Sequence, residues 1–82
     1  MISNEQDLLI DGTIGANIRA RRQDAGVSQT QLGVAIGGEA RQIEMYENAV
    51  IRISASRLVR IARALGVMIE DLYAGLDAKA VV

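Results

Sequence analysis

SQTQLGVAIGGEARQIEMYE, residues 28–47, reads as two short helices separated by little more than a pair of glycines. Ser28, followed three residues later by Gln31, is a capping-box pattern in which hydroxyl and amide satisfy orphan backbone donors at a helix start. Leu32, Ala35 and Ile36 then give an apolar stripe at helical spacing, which Gly37-Gly38 interrupts. A second stripe at Ala40, Ile43 and Tyr46 predicts a helix over about 39–48. Helices this short, with so little chain between them, meet at a steep angle and leave the second held out from the body.

The flanking sequence supplies that body. Asp11-Gly12-Thr13 opens a first main helix over about 14–25, with Ile14, Ile18 and Ala25 on one face and Gly26 as a left-handed cap. Residues 49–53 read as a loop. Ser54 caps a helix over 55–65, where Leu58, Ile61, Ala62 and Leu65 keep the i, i+3, i+4, i+7 pattern before Gly66 ends it. A last helix, roughly 69–75, lays Ile69, Leu72 and Tyr73 onto the bundle. Ser3 and Gln6 repeat the capping pattern ahead of Leu8-Leu9-Ile10. The expected organisation is residues 1–13 as an arm or an extra short helix, a domain over 14–75, and a frayed tail over 76–82. The expected class is all-α, a five-helix bundle.

Composition narrows the chemistry. Eighty-two residues suit one domain with a single core. Half of them are apolar, but Tyr46 and Tyr73 are the only aromatics and no proline occurs. Cys and His are both absent, which removes thiol chemistry, disulfides and the usual zinc ligand sets, so no metal or cofactor is expected. Without a His or Cys base or nucleophile, and without a phosphate-cradling glycine motif, an enzyme is not expected either. Residues 1–13 carry Glu5, Asp7 and Asp11 and no cation, the opposite of a signal peptide. No apolar run reaches membrane-spanning length, and a cytoplasmic protein is expected.

The net charge of −1 hides a gradient. All eight arginines lie between Arg19 and Arg63, where the acids are Asp24, Glu39, Glu44 and Glu47. The centre is basic and both ends are acidic. Two of the central charges sit on apolar stripes: Arg22 falls on that of Ile14 and Ile18, Glu47 on that of Ala40 and Ile43. An unpaired buried charge is expensive, so each is best explained by the other, in a bridge from the first helix to the end of the third.

Opposite its buried stripe, the helix over 39–48 presents Arg41, Met45 and Asn48 at i, i+4 and i+7, with Gln42 and Glu44 beside them. Two short helices in this relation form the helix-turn-helix, which sets its second helix into the DNA major groove. Arg41 has the donors for a bidentate contact with guanine, Met45 suits a thymine methyl, and Glu44 can accept from cytosine N4. Gln29 at the start of the preceding helix, Arg52 in the following loop and Arg19 are candidate phosphate contacts, which set register without reading sequence. Arg57, Arg60 and Arg63 read as solvated helix surface.

IGANIRARRQDAGVSQTQLG at 14–33, IEMYEN at 43–48 and SASRLVRIARALGV at 54–67 resemble the Cro/phage-repressor type of helix-turn-helix domain, found in short bacterial and phage regulators. The resemblance covers nearly the whole chain and implies a lambda-repressor-like five-helix bundle. It implies base contacts at Ala40, Arg41 and Met45, and backbone contacts at Gln29, Gln42, Asn48 and Arg52. Arg22 and Glu47 match positions that commonly pair in that family. The chain departs from the pattern at Gly38, where the family has a Ser or Thr cap, and at Met68, where it has a polar cap. Ala49-Val50-Ile51 replaces a glycine and a basic residue, which removes a phosphate contact and exposes apolar side chains.

The leading expectation is therefore a sequence-specific regulator of transcription, a dimeric repressor that binds double-stranded DNA. Residues 76–82, the N-terminal arm and Val50-Ile51 are candidate homodimer surfaces. The alternative is a protein-interaction module on the same fold, antitoxin-like or a regulator of another transcription factor, using Met45, Val50 and Ile51 against a protein partner.

Overall fold

A computed structural model describes residues 5–76, and among them the chain forms four α-helices and one 3₁₀ helix. The helices are α1 (Glu5–Asp24), α2 (Gln29–Ala35), α3 (Ala40–Glu47) and α4 (Ala55–Leu65), and the 3₁₀ helix is Ile69–Tyr73. No helix among the described residues is long and apolar enough to cross a membrane.

Each stripe read from the sequence delivers its apolar residues to one core. Ile18, Leu32, Ile36, Ile43, Ile61 and Leu72 are fully buried, with Ile14, Tyr46, Leu58, Ala62 and Leu65 around them. Three residues expected to face inward are exposed, and Ala40 is half-buried at the edge of its stripe. Ala25 and Ala35 are exposed, each at a helix end where no neighbour covers it, and Tyr73 retains 38% of its surface.

The expected starts hold for two helices. Gln31 N donates to Ser28 Oγ at 3.0 Å and Ser28 N to Gln31 Oε1 at 2.8 Å, closing the capping box of α2. Ser54 Oγ accepts from Arg57 N at the head of α4.

Two expectations are corrected. Residues 5–13 form neither a separate arm nor a separate helix: α1 runs unbroken through Asp11-Gly12-Thr13. Gly12 weakens a helix by about 1 kcal/mol, which is too little to stop one whose first turn carries Glu5 and Asp7 and whose Ile10 packs on the core. Ser3 of the upstream capping pattern lies outside the described residues.

The fifth helix is also not α-helical. Asn17 Nδ2 on α1 donates to the carbonyls of Leu72 and Ala74 at 2.9 and 2.8 Å. Leu76 N turns instead to Tyr73 O, and Gly75 at φ +92° leaves the helical region. With only five residues before that exit, the segment closes in the tighter i→i+3 form.

Two glycines let the helices approach closely enough to fix α3. A Cβ on Gly15 of α1 would lie 2.5 Å from Tyr46 O and 2.6 Å from Glu47 O. A Cβ on Gly33 of α2 would lie 2.5 Å from the carbonyl carbon of Glu39. Helix α3 is thus held by backbone contact at both ends.

Candidate nucleic-acid interface

Helix α3 starts one residue later than expected, with Glu39 rather than Gly38 as the extended N-cap residue and no side chain capping it. Four residues separate it from α2, and its buried face carries Ile43, Tyr46 and Glu47. The opposite face leaves Arg41, Glu44 and Asn48 exposed, with Ala40, Gln42 and Met45 half-buried beside them. The side chains of Arg41 and Glu44 take part in no hydrogen bond or ion pair among the described residues.

Glu47 anchors the inner face. Its carboxylate accepts from Arg22 Nε at 2.6 Å, Arg22 Nη2 at 3.2 Å and Gln29 Nε2 at 3.1 Å. Arg22 Nη1 donates further to Val27 O at 3.0 Å. One carboxylate and one guanidinium therefore join α1, the α1–α2 turn, the head of α2 and the end of α3. The pair is nearly dry, with side-chain exposures of 12% for Arg22 and 2% for Glu47. The hydrogen bond to Glu47 raises the Arg22 pKa above its usual range; partial burial opposes this and the carboxylate charge adds to it.

Gln29, expected at the DNA backbone, thus has its amide nitrogen turned inward on Glu47. Gln42 is also engaged: Arg57 Nη1 donates to its Oε1 at 3.3 Å. The Gln42 side chain folds back over Gly38, where a Cβ would run into Gln42 Oε1 and crowd Arg57 Nη1. Arg57, read from sequence as solvated surface, is half-buried against the head of α3. From the first turn of α4 its guanidinium reaches the α2–α3 junction, a contact that no local pattern shows.

The loop after α3 differs most from expectation. Val50 is exposed at 64%, but Ile51 is half-buried against the core and lines a shallow crevice with Asp11, Ile14, Tyr46 and Ile53. Arg52 pairs with two carboxylates of α1, Asp7 and Asp11, each at 3.4 Å. Arg19 is exposed on α1.

The end of α3 explains the loop's shape. Ala49 N donates to Tyr46 O and Val50 N to Met45 O, with Ala49 at φ +57°, which is a Schellman motif. The other three helices end the same way on Gly26, Gly37 and Gly66. Only α3 uses a residue with a Cβ, at the position where the resemblance predicts glycine. Left-handed alanine costs about 1–2 kcal/mol, partly offset by its smaller unfolded-state entropy. Ala49→Gly is expected to raise stability by about 0.5–1 kcal/mol in urea denaturation, with the slope unchanged.

The comparisons with known proteins agree with this geometry. A family model described as a helix-turn-helix domain matches residues 13–74. An uncharacterized HTH-type transcriptional regulator of Sinorhizobium fredii, y4wC, is 45% identical over 58 residues, which is 71% of this chain and 41% of that protein. The hypothetical transcription factor NHTF from Neisseria superposes with a TM-score of 0.74 at 28% identity, over 96% of this chain and 86% of that one. The clp gene regulator ClgR from C. glutamicum gives 0.74 at 25% identity, over 77% and 82%. The chain spans about half the length of the curated relatives it matches. With its two short helices meeting across Gly37-Gly38 and the match running from α1 to the 3₁₀ helix, the chain belongs to the helix-turn-helix domain family.

Proposed function

We propose that this chain is a sequence-specific double-stranded DNA-binding regulator of transcription, acting as a homodimeric repressor with α3 in the major groove. The observation that carries this reading is the outer face of α3. Arg41, Glu44 and Asn48 stand exposed in a row while the opposite face is fixed by Glu47 and by close backbone contact. A rigid helix with a polar outer face is what base recognition needs. The names of the relatives, as regulators of transcription, support it.

Arg41 reads guanine through its forked donors, Glu44 accepts from cytosine N4, and Met45 with Ala40 meets the apolar edge of thymine. Asn48, Gln42 and Arg19 approach the sugar-phosphate backbone, with Arg57 holding Gln42 in place. Gln29 contributes through its backbone position, since its side chain serves Glu47. One α3 covers only a few base pairs, so a homodimer spanning half-sites about 34 Å apart supplies the remaining affinity. Of the candidate dimer surfaces, residues 77–82 lie outside the described residues, and Ile51 is taken up by the core. The protein acts where its DNA is, in the cytoplasm.

Selection from a random duplex library tests the reading. It is expected to enrich a two-fold symmetric site whose affinity falls with salt at about −0.9 per phosphate contacted. Arg41→Ala is expected to relax preference at one base pair and cost about 1–3 kcal/mol on the selected site. A library in which no sequence is enriched, while a defined protein co-purifies, would replace this reading with the protein-interaction module.

A further inference from the structure

We propose that the acidic start of α1 is an intramolecular competitor for DNA, holding Arg52 on carboxylates in the place of a backbone phosphate. This rests on the DNA-binding reading and adds a control to it.

The family match begins at residue 13, but α1 begins at Glu5. The two turns before the matched region carry Asp7 and Asp11 at i and i+4, on one side of the helix. Both reach the same guanidinium, on the loop that follows α3. Asp7 Oδ2 and Asp11 Oδ2 each lie 3.4 Å from Arg52 Nη2, and Arg52 Nε also donates to Asp11 Oδ2 at 3.4 Å.

The Nε and Nη2 edge of a guanidinium is one of those that grip a phosphate bidentately. Here that edge faces Asp11. The anchor is better fixed than the cation: Asp11 is only 16% exposed and Arg52 is 54% exposed. Two carboxylates on one cation also leave the spot with a net charge of −1, so it repels a phosphate while the contact lasts. The hydrogen bonds to Asp11 and Asp7 raise the Arg52 pKa, so it stays charged and exchange of its partner, not loss of its proton, decides what it binds. Exposed pairs of this kind are weak enough to exchange.

The competition predicts a gain of function. With a labelled random-sequence duplex in a salt titration, D7N/D11N is expected to bind about tenfold tighter than the native chain at low salt, with a slope steeper by about 0.9. The gain must pass through Arg52. R52A is expected to weaken binding about twofold in the native chain and about tenfold in the D7N/D11N background. D7N and D11N singly are expected to give part of the gain each, and circular dichroism shows that every variant is folded.

Unchanged or weaker binding by folded D7N/D11N would overturn the proposal while leaving the DNA reading intact. A gain that stays near tenfold in the R52A background, instead of falling to about twofold, would also overturn it, leaving a general charge effect. If neither the native chain nor any variant binds duplex DNA, both readings fall together. If only the variants bind, the competitor is stronger than proposed and the proposal stands.

Discussion

Glu47→Ala is expected to destabilise the fold by about 3–5 kcal/mol, the range for breaking a buried ion pair on one side. Three donors lose their acceptor at once: Arg22 Nε, Arg22 Nη2 and Gln29 Nε2. Arg22 cannot simply turn to water, because its side chain is 12% exposed and Nη1 is tied to Val27 O. A chain of this size is stable by roughly 4–12 kcal/mol in total, so the loss removes at least about a quarter of that stability and, at the low end of the range, all of it. Arg22→Ala should cost a similar amount, since it strands a carboxylate that is 2% exposed. Replacing both by apolar residues of like volume, Arg22→Met with Glu47→Leu, should recover most of the loss. Urea melts of the four proteins check the set. A loss under about 1 kcal/mol for Glu47→Ala would mean that the pair is no stronger than a solvated surface bridge.

The contrast between what the sequence made legible and what it hid follows from the range of the interactions concerned. Ile14 and Ile18, Leu32 and Ile36, Ile43 and Tyr46, and Leu58, Ile61 and Leu65 declare their faces through spacing within one helix, and all are buried. The Ser28 and Ser54 caps are equally local. The features that no local pattern shows depend on partners far along the chain. Arg52 is a loop cation to any sequence window, because Asp11 lies 41 residues away. The 3₁₀ form of residues 69–73 depends on Asn17, 55 residues from Leu72. Gln29 looks like a free polar residue at a helix start until the fold brings Glu47 to it.

Charge shows the same limit. The central stretch has a surplus of arginine, but Arg21, Arg22 and Arg52 are spent on Asp71, Glu47 and the two aspartates of α1. Arg57 is turned to Gln42. The field offered to a phosphate backbone is therefore narrower than the residue count suggests. On the proposed reading, specificity then leans on the α3 face rather than on bulk attraction.

That dependence makes Gly33→Ala the second large effect, and its control lies in the same fold. In a helix interior, alanine is favoured over glycine by about 1 kcal/mol. At Gly12 of α1 nothing lies within 4 Å of the new methyl, so Gly12→Ala should stabilise the protein by about 0.5–1 kcal/mol. At Gly33 the methyl would lie 2.5 Å from Glu39 C, 2.7 Å from Glu39 O and 2.8 Å from Ala40 N. All three are backbone atoms at the head of α3, so no rotamer change relieves the overlap. Gly33 O also accepts from Gly38 N at 2.8 Å, which fixes the turn against the same atoms. Helix α3 must then move away from α2, and overpacking of this kind costs about 1–3 kcal/mol beyond the propensity gain. The expected result is a melting temperature that falls for Gly33→Ala and rises for Gly12→Ala. DNA affinity should drop for Gly33→Ala even where the variant is fully folded, because the outward face of α3 is re-aimed. If both alanines stabilise, α2 and α3 do not meet at the close backbone contact on which a rigid recognition helix depends.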